Sequence, residues 1–265
     1  MNVGKKIRIK RIINRESGKT VIVPMDHGVS MGPIYGLTDI DQTVNMIIRG
    51  GANAAVVHKG IVTATNRTGD TDIGLIIHLS ASTSLNPDPN HKISVCDVTE
   101  ALALGADAVS VHVNIGASQE SAMLQMLGKT ARDCNRWGMP LLAMMYPRGD
   151  NVKVTPETVK LAARVGAELG ADLIKCPYTG DPDSFSAVVA GCPVPVVIAG
   201  GEKLNDKESL RMIEGAMKAG AGGLSIGRNA FQHPNPEQFL RVASEMVHHG
   251  MSAEEGLEIL ARTIS

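Results

Sequence analysis

Short, nearly continuous apolar runs alternate with longer segments of helical periodicity along this whole chain. The apolar runs are Thr20–Asp26, Asn53–Lys59, Gly74–Leu79, Ala106–Asn114, Pro140–Tyr146, Ala171–Cys176, Pro195–Gly200 and Gly222–Gly227. A run such as Val194-Pro195-Val196-Val197-Ile198-Ala199 has no polar face, as a parallel strand covered by helices requires. Between most runs the spacing predicts helices over Asp39–Gly50, Val98–Gly105, Ser118–Trp137, Pro156–Leu169, Asp183–Val189 and Asp206–Ala219. Glycine stops recur just before strands, as in Leu104-Gly105-Ala106-Asp107 and Leu169-Gly170-Ala171-Asp172, so one βα unit nearly repeats. Eight strands in 265 residues predict an α/β protein built as one closed (β/α)8 TIM barrel. An open doubly wound sheet is the competitor, but no Gly-x-Gly-x-x-Gly follows the first strand. The connection after the second strand is only weakly helical. Lys5–Arg15 and Ala253–Arg262 read as extra terminal helices that close the barrel bottom or mediate assembly. No linker or low-complexity stretch interrupts the pattern, so residues 1–265 read as a single domain.

Composition narrows the function classes. Hydrophobic residues make up 43% of the chain but aromatics only 3%, so the core must be built from Ala, Val, Ile, Leu and Met. A net charge of −1 gives no footprint for nucleic acid or an anionic membrane. No apolar run approaches the roughly 18 residues of a membrane span, and no apolar signal core follows the basic start. Cys96, Cys134, Cys176 and Cys192 are widely spaced with no Cys-x-x-Cys pair. That argues against a disulfide framework and a structural zinc site, and fits a reduced, cytoplasmic setting.

A barrel of this kind builds its site at the carboxyl ends of its strands, and polar residues gather there. They include Asp26-His27-Gly28, His58-Lys59-Gly60, His78, His112, Asn114, Tyr146-Pro147-Arg148-Gly149, Lys175, Gly200-Gly201 and Gly227-Arg228-Asn229. Lys175 stands out because it ends the otherwise apolar strand Ala171-Asp172-Leu173-Ile174-Lys175. Burying an ammonium is costly, and desolvation lowers its pKa, making the amine a nucleophile able to form a Schiff base with a carbonyl. The plainer alternative is a lysine whose stem packs while its head reaches water. Side-chain alternation puts Leu173 with Lys175, Leu142 and Met144 with Tyr146, and Ile22 and Pro24 with Asp26. If those faces point inward, an amine, a phenol and a carboxylate converge, the set that Schiff-base chemistry needs. Taken singly, Asp26 reads equally as a cap and Tyr146 as a core phenol.

Gly200-Gly201 and Gly227-Arg228 follow the last two strands, where backbone N–H groups and a guanidinium can cradle a phosphate; ordinary βα turns also favour glycine. His58, His78 and His112 lie on successive strands, yet a metal-dependent barrel hydrolase would show His-x-His at the first strand end, and Asp26-His27 is not that. They read as packed, hydrogen-bonded or substrate-contacting histidines, with no metal expected. His58 and Lys59 are candidate contacts for a second substrate from their position alone. Met139, Met144 and Met145 read as core filling, and His248-His249 as a solvated helix end.

The strings Pro24-Met25-Asp26-His27-Gly28, Met145-Tyr146-Pro147-Arg148-Gly149, Lys175-x-x-Tyr178-Thr179-Gly180-Asp181, Ala199-Gly200-Gly201 and Gly227-Arg228-Asn229 resemble those of the archaeal-type class I aldolases, over essentially the whole chain. The resemblance implies a (β/α)8 barrel using neither metal nor other cofactor. It implies Lys175 as the Schiff-base lysine, Tyr146 as proton donor and Asp26 as proton acceptor. It also implies that Asp26, His27, Gly28, Val29, Ser30, Tyr146, Pro147, Arg148, Gly200, Gly201, Gly227 and Arg228 hold a phosphorylated sugar. Within the family, Val-His-Lys-Gly-Ile-Val (57–62) and Ala-Met-Met-Tyr-Pro-Arg-Gly (143–149) are similar to the 2-amino-3,7-dideoxy-D-threo-hept-6-ulosonate synthase branch. That branch implies transfer of a hydroxypyruvaldehyde unit from 6-deoxy-5-ketofructose 1-phosphate to L-aspartate semialdehyde, toward 3-dehydroquinate and aromatic amino acids. Its partners would be a phosphorylated ketose, a small aldehyde and copies of the chain itself, in this family often a decamer of stacked pentamers. Class I fructose-bisphosphate aldolase is the alternative with the same machinery. A non-catalytic sugar-phosphate-binding barrel is the alternative of another class. Cys176-Pro177 departs from the small polar residues more usual after the lysine, which bears on substrate preference.

Overall fold

The computed structural model describes residues 2–64 and 73–263. Its parallel strands run in chain order: β1 (Thr20–Pro24), β2 (Ala54–Val57), β3 (Gly74–His78), β4 (Ala108–Ile115), β5 (Leu141–Pro147), β6 (Leu173–Pro177), β7 (Val196–Ala199) and β8 (Gly223–Ser225). Each pairs with the next, and β8 pairs back on β1, closing the barrel.

Alternation along these strands sorts the apolar residues into two cores. Ile22, Ala54, Val56, Ile76, Ala108, Leu142, Met144, Leu173 and Val197 point inward and fill the barrel. Their sequence neighbours, such as Val21, Val57, Ile77, Val111 and Ile174, point outward and pack under helices through Met123, Leu127, Phe185, Leu210 and Phe239. The near-continuous apolar runs follow from this, because both faces of every strand are covered. Burial of each large side chain contributes about 1.5–3 kcal/mol.

Helices follow each strand, and their starts are written in local chemistry. Asp39, Asp97, Thr155, Asp181, Asn205 and Asn235 each accept a backbone N–H as N-cap. Pro236–His249, the helix after β8, goes beyond the helices read from periodicity, although Asn235-Pro236 is a start signal. His248 is also not the solvated end expected. Its Nδ1 lies 2.7 Å from Ser17 Oγ and its Nε2 3.0 Å from Asn53 Oδ1, while His249 is exposed. The ring ties the last barrel helix to the base of β1 and β2.

The terminal helices divide their roles. Val3–Ile12, capped by Asn2, plugs the amino-terminal end of the barrel with Ile9, Ile12 and Ile13 against the inner core. Lys5, only 4% exposed, donates to both oxygens of Asp172 at 3.0 and 2.7 Å, and Asp172 also accepts the Leu141 N–H at 2.9 Å. Ala253–Thr263 lies against Asp206–Lys218 and Pro236–His249 on the flank.

Four connections shape the open end. His27–Met31 forms a short helix after β1, and Arg228–Phe231 a single turn after β8. Between β3 and β4 the chain makes a small antiparallel ribbon, Ser80–Ala81 with Ile93–Ser94. The connection after β2 begins with the helix Lys59–Ala64; the rest of it lies outside the described residues.

Candidate active site

A cavity of about 520 Å³ opens at the carboxyl ends of the strands. Lys175 rises into it from β6 in register with Met144 on β5. The lysine is 7% exposed and has no hydrogen-bonded or ion-paired partner in contact among the described residues. Burial therefore dominates and brings its pKa down to about 8, against the weaker opposing pull of Asp26. At pH 7 about one molecule in ten then carries the free amine, against about one in three thousand for an ordinary lysine.

Asp26 follows β1 at the mouth. Burial pushes its carboxyl up, but His78, His27, Lys175 and His58 together outweigh that and hold it at about 2. His78 Nε2 is 3.8 Å from Asp26 Oδ2, and His27 Nδ1 is 3.6 Å from Oδ1. His78 is itself driven to about 4 by burial, so at neutral pH it offers Asp26 a dipole rather than a charge. Its Nδ1 rests 2.8 Å from Ser110 Oγ, which fixes the ring.

Tyr146 extends the inner row Leu142–Met144 of β5. Burial raises its phenol well above the ordinary tyrosine range, so it stays protonated. The His112 ring lies 4.8 Å from the Tyr146 ring, and the Arg148 guanidinium sits 5.3 Å above that ring's centroid. His112 Nε2 in turn meets Asn114 Oδ1 at 2.8 Å.

The glycine loops close the other side. Gly201 has φ +64°, with open space where a side chain would begin. Asn229 donates to the Gly200 and Glu202 carbonyls at 2.9 and 3.1 Å and accepts the Leu204 N–H at 2.8 Å, locking the β7 loop to the β8 loop. Arg228 donates to the Gly201 carbonyl at 2.9 Å. A Cβ on Gly227 would come within 2.7 Å of His27 Cε1 and 2.8 Å of the Pro24 carbonyl, so glycine lets the β8 and β1 ends approach. In the cavity wall Ser225 Oγ is buried and, with His27 Nδ1, lacks a hydrogen-bond partner among the described residues.

Of the residues singled out in the sequence, Asp26, His27, Ser30, Tyr146, Arg148, Lys175, Gly200, Gly201, Gly227 and Arg228 line the cavity. Gly28 and Val29 are exposed on the short helix and are not in the cavity lining, and Pro147 is buried on the outward face of β5. His58 backs onto His78, with ring centroids 5.2 Å apart, and does not line the cavity. Lys59 opens the helix after β2 and is not in the cavity lining. Its Nζ donates to Glu100 at 2.9 and 3.1 Å, and its side chain is 42% exposed. His112 and Asn229, read among the polar residues at the strand ends, line the cavity as well; Lys92, Ser82 and Ser225 line it without having been singled out. Ser225 and His112 carried a signal in their inward parity; Lys92 sits in an aperiodic connection and carried none.

A family model described as DeoC/LacD family aldolase matches residues 20–233, from β1 to just past β8, and the chain belongs to that family. A 2-amino-3,7-dideoxy-D-threo-hept-6-ulosonate synthase of Archaeoglobus fulgidus is 46% identical over 97% of this chain and 95% of its own length. A 2-amino-4,5-dihydroxy-6-oxo-7-(phosphonooxy)heptanoate synthase of Streptomyces griseus is 38% identical over 92% of this chain and 90% of its own. An archaeal fructose-1,6-bisphosphate aldolase, solved with its catalytic lysine covalently bound to a carbinolamine intermediate, superposes with a TM-score of 0.86 at 33% identity, covering 92% of this chain and 99% of that one.

Proposed function

We propose that this chain is a Schiff-base transaldolase of the heptulosonate synthase type, acting on 6-deoxy-5-ketofructose 1-phosphate and L-aspartate semialdehyde. The observation that carries this reading is Lys175, a buried amine near pKa 8 with no acid in contact among the described residues, in one cavity with Asp26 and Tyr146. In this reading the Lys175 amine attacks the C5 ketone and Tyr146 supplies the proton that expels water. Asp26 takes the C3 hydroxyl proton as the C3–C4 bond breaks. The carbon count decides which half moves. A 3,7-dideoxyheptulosonate keeps a methyl at C7, so the methyl-ketone half stays on Lys175 as the enamine. The phosphorylated hydroxypyruvaldehyde half leaves, so the unit transferred is the three-carbon methyl-ketone fragment and not the hydroxypyruvaldehyde unit that the resemblance implied. The enamine then attacks the acceptor aldehyde, and hydrolysis of the imine frees the seven-carbon product. Gly200, Gly201, Gly227 and Arg228 hold the donor phosphate, with His27 and Ser30 beside it. The same reading takes residues 1–265 as one domain working in the cytoplasm as a homo-oligomer.

Borohydride reduction in the presence of the ketose phosphate, followed by mass mapping, should leave one adduct on Lys175. A wild-type protein that traps no ketose phosphate would point to a binding barrel instead. Formation of the heptulosonate from aspartate semialdehyde should then exceed cleavage of fructose 1,6-bisphosphate. The reverse order would favour the aldolase reading, which the likeness to the fructose-bisphosphate aldolase supports.

A further inference from the structure

The cavity has a second cationic pole that the phosphate cradle does not use. Lys92 lies in the connection between β3 and β4, half-buried against the cavity, and its Nζ donates to Ser82 Oγ. Ser82 is pinned by its own bond to the Pro89 carbonyl at 2.7 Å, so the ammonium is held by a fixed acceptor rather than left swinging. Arg148, at the end of β5, shares the cavity wall and lies over Tyr146. Neither cation is ion-paired with a carboxylate among the described residues. Asp88, the acid of the same connection that most influences Lys92, is occupied by Ser118 Oγ at 2.5 Å and the Asn90 N–H at 3.1 Å. Burial and the neighbouring guanidinium both work against the Lys92 charge. Asp26 and Asp88 support the Lys92 charge only at a distance, and two cations crowded into one wall with no carboxylate in contact among the described residues are stabilised when an anion arrives between them.

Position separates this pole from the first. In a closed ring of eight strands, β3 and β4 stand four places from β7 and β8, so Lys92 faces the glycine loops and Arg228 across the mouth. Lys175 lies between the two poles along the ring. The proposed donor carries one phosphate, which the glycine loops and Arg228 serve. The proposed acceptor also carries an anion, its carboxylate.

We propose that Lys92, assisted by Arg148, binds the carboxylate of the acceptor aldehyde and so selects an anionic acceptor over a neutral one. This rests on the transaldolase reading, and its test is built to fail separately. Lys92→Gln and Lys92→Arg are compared with wild type by borohydride trapping of the ketose phosphate on Lys175. Steady-state transfer is then measured to aspartate semialdehyde and to an uncharged aldehyde of similar length. Lys92→Gln should raise KM for aspartate semialdehyde at least tenfold, while trapping and KM for the neutral aldehyde stay within about twofold. Lys92→Arg should recover most of the loss. An equal rise for both aldehydes would make Lys92 merely structural and overturn the proposal. A fall in trapping of the ketose phosphate would assign the pole to the donor and overturn it too. If wild-type protein traps no ketose phosphate, the transaldolase reading falls first, which this comparison reveals independently of Lys92.

Discussion

At the residue scale, the amine on β6 sets the pH behaviour. With Lys175 at about 8, Asp26 at about 2 and His78 at about 4, only the lysine titrates between pH 5 and 9 among these three. Imine formation should rise about tenfold per pH unit up to roughly pH 8 and then level off, read as the initial rate of adduct trapping. A plateau beginning at pH 6, or a rise continuing to pH 10, would contradict this. The same shift costs stability. The folded pKa is depressed, so below about 8 both states are protonated and the fold bears the full penalty, which disappears as pH rises toward 10.5. Lys175→Met should therefore abolish trapping yet stabilise the protein at pH 7 by about 1–3 kcal/mol in denaturant titration. Tyr146→Phe keeps the ring against His112 and removes the proton, so kcat should fall by about 10²–10⁴-fold with little change in melting temperature.

At the element scale, glycines separate close approach from idle freedom. Gly227→Ala pushes a methyl into His27 and the Pro24 carbonyl, and should cost about 1–3 kcal/mol while weakening donor binding. Gly128, inside the helix Glu120–Trp137, has open space at its Cβ position; Gly128→Ala should stabilise the fold by about 0.5–1 kcal/mol without touching activity. Thermal melts of the pair should move in opposite directions. This contrast also marks what local pattern conveyed. Both glycines are visible in the sequence, but only packing tells which one has no room.

For the whole molecule, the barrel depends on its plug. Ile12→Ala should cost about 2–4 kcal/mol, because the inner core loses its floor at a fully buried site. Lys5→Met strands Asp172 as a buried, unpaired carboxylate and should cost about 3–5 kcal/mol; pairing it with Asp172→Asn should recover much of that in a double-mutant cycle. Simple additivity of the two changes would mean that the pair does no such work. Among the described residues no helix is long and apolar enough to cross a membrane.

The order of strands and which side chains share a face, Lys175 with Leu173 and Tyr146 with Met144, were legible in the sequence because of the two-residue period; with both faces apolar, only the closed barrel decided that these faces point inward. The glycine pairs at the last two strand ends were legible for a similar reason: few residues let backbone approach an anion. Tertiary structure decided what distance along the chain conceals. It turned Lys59 away to Glu100, brought Lys92 into the cavity from an aperiodic loop, and made His248 a tie rather than a solvated end. It also buried Lys175 with no acid in contact among the described residues. Pairing and burial depend on which strands become neighbours when the ring closes, and no local period encodes that. The position of Lys175 at the end of its strand was written in the chain; its lowered pKa came from the walls around it.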